Sequence, residues 1–97
     1  MHVLALEVAL RLPGVRSLKE KRSLLRPIID GGRHRFPVAI AEVDHQDAWQ
    51  LATIGISGVS ASPSRLSQQM DEVERFVWSF PAVEVLSADR HWLDIDR

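Results

Sequence analysis

The side chains able to do chemistry fall in two short runs. Glu42, Asp44, His45 and Asp47 lie within AEVDHQD, residues 41–47, while Lys19, Lys21 and Arg22 lie within SLKEKR, residues 17–22, with Arg16 just before it. Carboxylates and an imidazole are ligand types that suit several divalent ions. Residues 44 and 45 of a regular strand would project from opposite faces, so convergence on one ion would need the following turn to fold back beside competing cations. General acid–base catalysis requires a pocket with a substrate-facing pair, and neither is visible in the run. The chain has no GxSxG, Walker loop or GxGxxG. Metal-dependent hydrolysis therefore ranks third among the functions considered, and no catalytic residue, metal or cofactor is expected.

The cations suit phosphate better. Arg16, Lys19, Arg22, Arg26, Arg33 and Arg35 all fall in one segment, and the positive end of a helix starting at Ser17 offers a further seat for an anion. An RNA-recognition motif stacks bases on aromatic residues of its central strands. Residues 3–11 and 51–60 contain no Phe, Tyr or Trp, which excludes that mode. Gly55-Ile-Ser-Gly58 has the letters of a KH-type GXXG loop but lies inside a strand pattern. Contact with the RNA backbone through the six cations is the mode left.

These residues must be positioned by regular elements. Ser17 and Glu20 form a capping box, with the serine oxygen accepting from residue 20 and the glutamate reaching back to the NH of Ser17. At about 100° per residue Leu18, Leu25 and Ile29 share an arc that Leu24 and Ile28 widen. Pro27 is expected to kink or restart this helix, and Gly31-Gly32 to end it. Lys21 points into the apolar arc and so needs a route to water or a carboxylate partner.

Residues 2–12 alternate as a half-buried strand, with Leu4, Leu6, Val8, Leu10 and Leu12 on one face. Strands are also expected over 38–45, 49–60 and 83–95, the first two joined as a hairpin. Gly55 and Gly58 mark a bulge or a close approach. Ser62-Pro63 opens a second helix whose stripe is Leu66, Met70, Val73, Val77 and Phe80, with Trp78 about 100° off its centre. The order βαββαβ predicts an α+β, ferredoxin-like sandwich over residues 1–97, a four-stranded antiparallel sheet with both helices on one face. That topology brings residues 17–22 and 41–47 to one end of the sheet. Glu42 and Asp44 are expected to share the helix-facing side of their strand, so that Lys21 and Glu42 meet as a hydrogen-bonded structural ion pair.

Composition limits the rest. Ninety-seven residues suffice for one two-layer core, and the absence of cysteine excludes disulfides and thiolate metal sites. The N-terminal run has no basic region and includes Glu7, unlike a signal peptide, and no apolar stretch approaches a membrane span. A cytoplasmic protein with no membrane partner is expected. The net charge of -1 hides a segregation: residues 11–35 hold eight Lys or Arg against Glu20 and Asp30, whereas the rest holds four against eleven acids. Such asymmetry bears on partners rather than on fold.

The runs LRLPGVRSLKEKRSLLRPIID and RFPVAIAEVDHQDAWQLATIGISGVS closely resemble the bacterial YlxP-like family, a domain of unknown function, and the similarity covers nearly the whole chain. SLKEKR after a Pro-Gly turn and AEV-x-x-x-D before the third strand are specific in combination. The resemblance implies a ferredoxin-like fold and, through gene neighbourhood, a place beside the ribosome; it implies no catalytic residues. Pro27 and Gly31-Gly32 depart from the family's pattern in the first helix. The leading expectation is a non-enzymatic accessory protein that binds RNA or a ribosomal assembly through the basic helix. The alternative is a homo-oligomeric or small-ligand-sensing module working through the open sheet face, where Val3, Ala5, Ala9 and Gly55 form a small-residue surface.

Overall fold

Alternation along His2–Arg11 produces strand β1, which buries Leu4, Leu6, Val8 and Leu10 on one side only. In the computed structural model, which describes residues 1–96, it is followed by α1 (Leu18–Arg35), β2 (Ala39–Asp44), β3 (Leu51–Ser60), α2 (Pro63–Trp78) and β4 (Glu84–Asp94). The four strands form one antiparallel sheet in the order β2-β3-β1-β4. This is the ferredoxin-like α+β fold that the element order predicts. The core is the helix-facing side of β1 and β3, including Ala52, Ile54 and Ile56, packed against Leu25 and Ile28 of α1 and Leu66, Met70, Val73 and Val77 of α2.

Helix α1 differs from expectation at both interruptions. It continues through Pro27 and through Gly31-Gly32 to Arg35. Pro27 and Ser23 are both exposed, so water can satisfy the Ser23 carbonyl that the proline leaves without a donor. The glycines are sites of close packing. A Cβ on Gly31 would lie 3.0 Å from Phe76 Cζ, and one on Gly32 would run into Ile40 Cδ1. Neither glycine has a positive φ; among the described residues Gly14, in the turn before α1, is the glycine that does. Pro37 ends the helix, because the residue before a proline is held extended, as Phe36 is at φ -127° and ψ 145°. The Phe36 N–H then donates to Gly32 O at 3.0 Å.

The other glycines follow the same logic. Gly58 leaves room for Leu66 and Met70 of α2, and Gly55 lies beneath the Val43 side chain on the opposite face of the sheet. The bulge is in β2, where Glu42 pairs with Ile54 but Asp44 pairs with Thr53, leaving Val43 as the extra residue. A second bulge sets Leu86 outside the pairing of β4 with β1. Trp78, at the end of α2, is exposed.

Gly32→Ala tests the packing role of the helix glycines. The substitution adds up to about 1 kcal/mol of helix propensity, against a cost of about 1–3 kcal/mol from overpacking against Ile40. Urea unfolding is expected to show net destabilisation. Adding Ile40→Val, which removes the obstructing methyl, is expected to give a favourable coupling above about 0.5 kcal/mol in a double-mutant cycle.

Candidate nucleic-acid interface

Helical periodicity sets Lys19, Arg22, Arg26 and Arg33 within an arc of roughly 60°, away from the buried Lys21, Leu25, Ile28 and Gly32. At 1.5 Å per residue the stripe is roughly 21 Å long. All four residues and Arg16 are exposed. Among the described residues Arg16, Lys19, Arg22 and Arg26 form no side-chain ion pair, so their charged groups face solvent, with exposed Asp30 the acid on the same side of the helix.

The six expected cations do not make one surface. Arg33 donates from Nε and Nη2 to Ile40 O at 3.0 and 2.6 Å, lying across the outer edge of β2 with Asp30 3.8 Å away. Arg35 lies on the α2 side of the helix, its guanidinium 5.0 Å from the Phe76 ring centre and 5.9 Å from that of Phe36. At the helix start the chain supplies acceptors of its own. Ser17 Oγ accepts from Glu20 N at 3.1 Å, and Glu20 Oε2 accepts from Arg16 N at 2.9 Å rather than from Ser17 N.

The Lys21 side chain, 2% exposed, anchors the end of the sheet where the two charged runs meet. Its ammonium donates to His45 O and Ala48 O, both at 2.7 Å, and lies 2.7 Å from Glu42 Oε2. The aligned hydrogen bonds thus go to the hairpin loop, and Glu42 supplies the counter-charge. Glu42 Oε2 is buried and takes no other partner among the described residues, so each charge depends on the other. Gln50 fastens the loop a second time by donating to Val15 O at 3.1 Å.

Asp44 does not share a face with Glu42 as expected. The bulge at Val43 turns it to the Thr53 side, and His45, with φ 59°, places Nδ1 3.0 Å from Thr53 Oγ1. Asp44 Oδ1 accepts from His45 N at 2.7 Å. Asp47 is exposed. Among the described residues no three His, Cys, Asp or Glu side chains are placed to hold a metal ion, and no helix is long and apolar enough to cross a membrane.

The sequence reading missed a second polar anchor. Arg90 of β4 reaches α2, with Nη2 2.7 Å from Asp71 Oδ1 and 3.0 Å from Glu74 Oε1, while Nε donates to Glu74 at 3.1 Å. Burial alone would lower the pKa of the guanidinium, but hydrogen bonding and charge from Asp71 and Glu74 outweigh it and raise the pKa above its ordinary value. The signal was the same as for Lys21: a cation at a helix-facing position of its element.

The geometry defines a ferredoxin-like α+β domain whose first helix carries an exposed cationic stripe and whose hairpin is tied to that helix by a buried ammonium. The chain belongs to the family described as protein of unknown function (DUF503), whose model matches residues 3–90. It is 37% identical over 76 residues to the uncharacterized protein YlxP of Bacillus subtilis (strain 168), a match that covers 78% of this chain and 83% of the relative.

Lys21→Met would leave Glu42 and two loop carbonyls unpartnered and is expected to cost about 3–5 kcal/mol in chemical denaturation. Glu42→Gln, which keeps both carbonyl bonds, is expected to cost less, about 1–3 kcal/mol. The double variant should recover only part of the Lys21→Met loss, since His45 O and Ala48 O remain without a donor.

Proposed function

We propose that this protein is a non-enzymatic accessory factor that binds structured RNA, free or within a ribosomal assembly, by contacting the phosphate backbone along α1. The observation that carries this reading is that Arg16, Lys19, Arg22 and Arg26 stay exposed and, among the described residues, unpaired, in a segment that holds eight Lys or Arg against Glu20 and Asp30 within a chain of net charge -1. A fold that needed these cations for itself would pair them, as it pairs Lys21, Arg11 and Arg90.

The interaction is one of charge rather than of base stacking. The exposed side of α1 has no Phe, Tyr or Trp, and the open sheet face of β1 and β3 has none either. Affinity should therefore vary little with sequence and fall steeply with salt, as expected when phosphate neutralisation releases counterions. Arg33 and Arg35 contribute less than the other four, because each guanidinium is already engaged within the chain.

Replacing Lys19, Arg22 and Arg26 together by glutamine tests the proposal. Binding to ribosomal RNA, measured across a salt series, is expected to weaken. The slope of log K against log salt should shrink by up to about 3, near 1 for each phosphate that is no longer neutralised. The thermal midpoint should hardly move, since none of the three is buried or paired. Wild-type protein that shows no salt-sensitive binding to ribosomal RNA or ribosomal subunits would refute the proposal.

A further inference from the structure

The two edges of the sheet are treated differently. The backbone phase can be read from the hydrogen bonds at the strand ends. Leu12 N donates to Gln50 O at 2.9 Å, and Ile95 N donates to Met1 O at 2.9 Å, so even residues of β1 direct their backbone groups to β3 and odd ones to β4. Carried across the sheet, this alternation points the backbone groups of Ile40 and Glu42 out of the β2 edge, and those of Ala88, Arg90 and Trp92 out of the β4 edge.

On β2 these outward carbonyls are capped. Arg33 donates to Ile40 O, and Gln46 Nε2 donates to Glu42 O at 3.3 Å. On β4 no side chain among the described residues caps the corresponding carbonyls. The same strand exposes Leu86, Trp92 and Leu93. A long open edge with apolar side chains invites a further strand.

The sequence of β4 fits another copy of itself. In antiparallel pairing about a two-fold axis normal to the sheet, directly opposed residues lie on the same face, and residues with outward backbone groups must meet one another. A register centred on Asp89 satisfies this but sets Asp89 against the partner's Asp89, a like-charge pair. Centring on Arg90 sets Asp89 against the partner's His91, twice, and Trp92 against the partner's Ala88, twice, a large side chain opposite a small one. Each Arg90 on the axis already has Asp71 and Glu74 of its own helix for counter-charge.

We propose that two copies of this chain associate through β4, antiparallel and centred on Arg90, to form one continuous eight-stranded sheet. All four helices would lie on one side of it. The two cationic α1 stripes would then flank the outer β2 edges, clear of the junction.

Sedimentation velocity over a concentration series tests this. Wild-type protein is expected to move from one-chain to two-chain mass. Ala88→Pro removes an N–H that no strand of the same chain uses, so it should keep the wild-type circular dichroism while raising the dimer dissociation constant at least about tenfold. The chain has no cysteine of its own, which allows a register test independent of that variant. Asp89→Cys with His91→Cys should oxidise to a covalent dimer, whereas Asp89→Cys alone should not. One-chain mass at every concentration, or equal association by wild type and folded Ala88→Pro, would overturn dimerisation through β4. Cross-linking by Asp89→Cys alone would overturn the Arg90-centred register.

Discussion

A buried ammonium holds the hairpin end of this fold in place. Lys21 comes from the first turns of α1, yet its partners are Glu42 of β2 and the carbonyls of His45 and Ala48 beyond it. One side chain therefore fixes the position of the helix start, the end of an edge strand and the path of the loop. An ion pair taken out of water is not in itself a large source of stability, because desolvation offsets much of the attraction. What it does constrain is register: with Lys21 and Glu42 Oε2 both buried, moving Glu42 away would leave the ammonium without its counter-charge. The bulge at Val43 belongs to the same arrangement, since it lets Glu42 face inward while Asp44 and His45 turn to the other side.

The far end of α1 is set by shape rather than charge. Gly31 and Gly32 let the helix approach Phe76 and Ile40 more closely than side chains would allow. The helix stays regular to Arg35, and the cations on its outer side keep one alignment over four turns. Packing and surface charge are linked at this end, because the continuity that brings α1 against the sheet also carries Arg33 into line with Lys19, Arg22 and Arg26. Arg33, on the same stripe, turns instead to the β2 edge, where it closes a row of carbonyls that would otherwise be open.

Arg90 does at β4 what Lys21 does at β2, tying a strand to the helix above it. The difference lies in exposure. Lys21 is sealed under a loop, whereas Arg90 holds a strand whose outer backbone groups have no cap among the described residues. The fold thus has one finished edge and one open edge, with the cations of α1 on the side of the finished one.

Element order, core and the meeting of Lys21 with Glu42 were all legible in the residues alone. Period-two and period-3.6 patterns are local, and handed crossovers with short connections leave few topologies for βαββαβ. A charged residue at a core position also signals its own need for a partner. That Pro27 and the two glycines interrupt nothing emerged only from the folded chain. Their effect depends on whether water reaches the Ser23 carbonyl and on how near Phe76 and Ile40 come, which are distances across the chain that no local propensity encodes. The same holds for Asp44, turned by one extra residue in β2, and for Arg33 and Arg35, whose charges are engaged by a carbonyl and by aromatic rings. Residue type set the charge; the packing around it settled whether that charge stayed free.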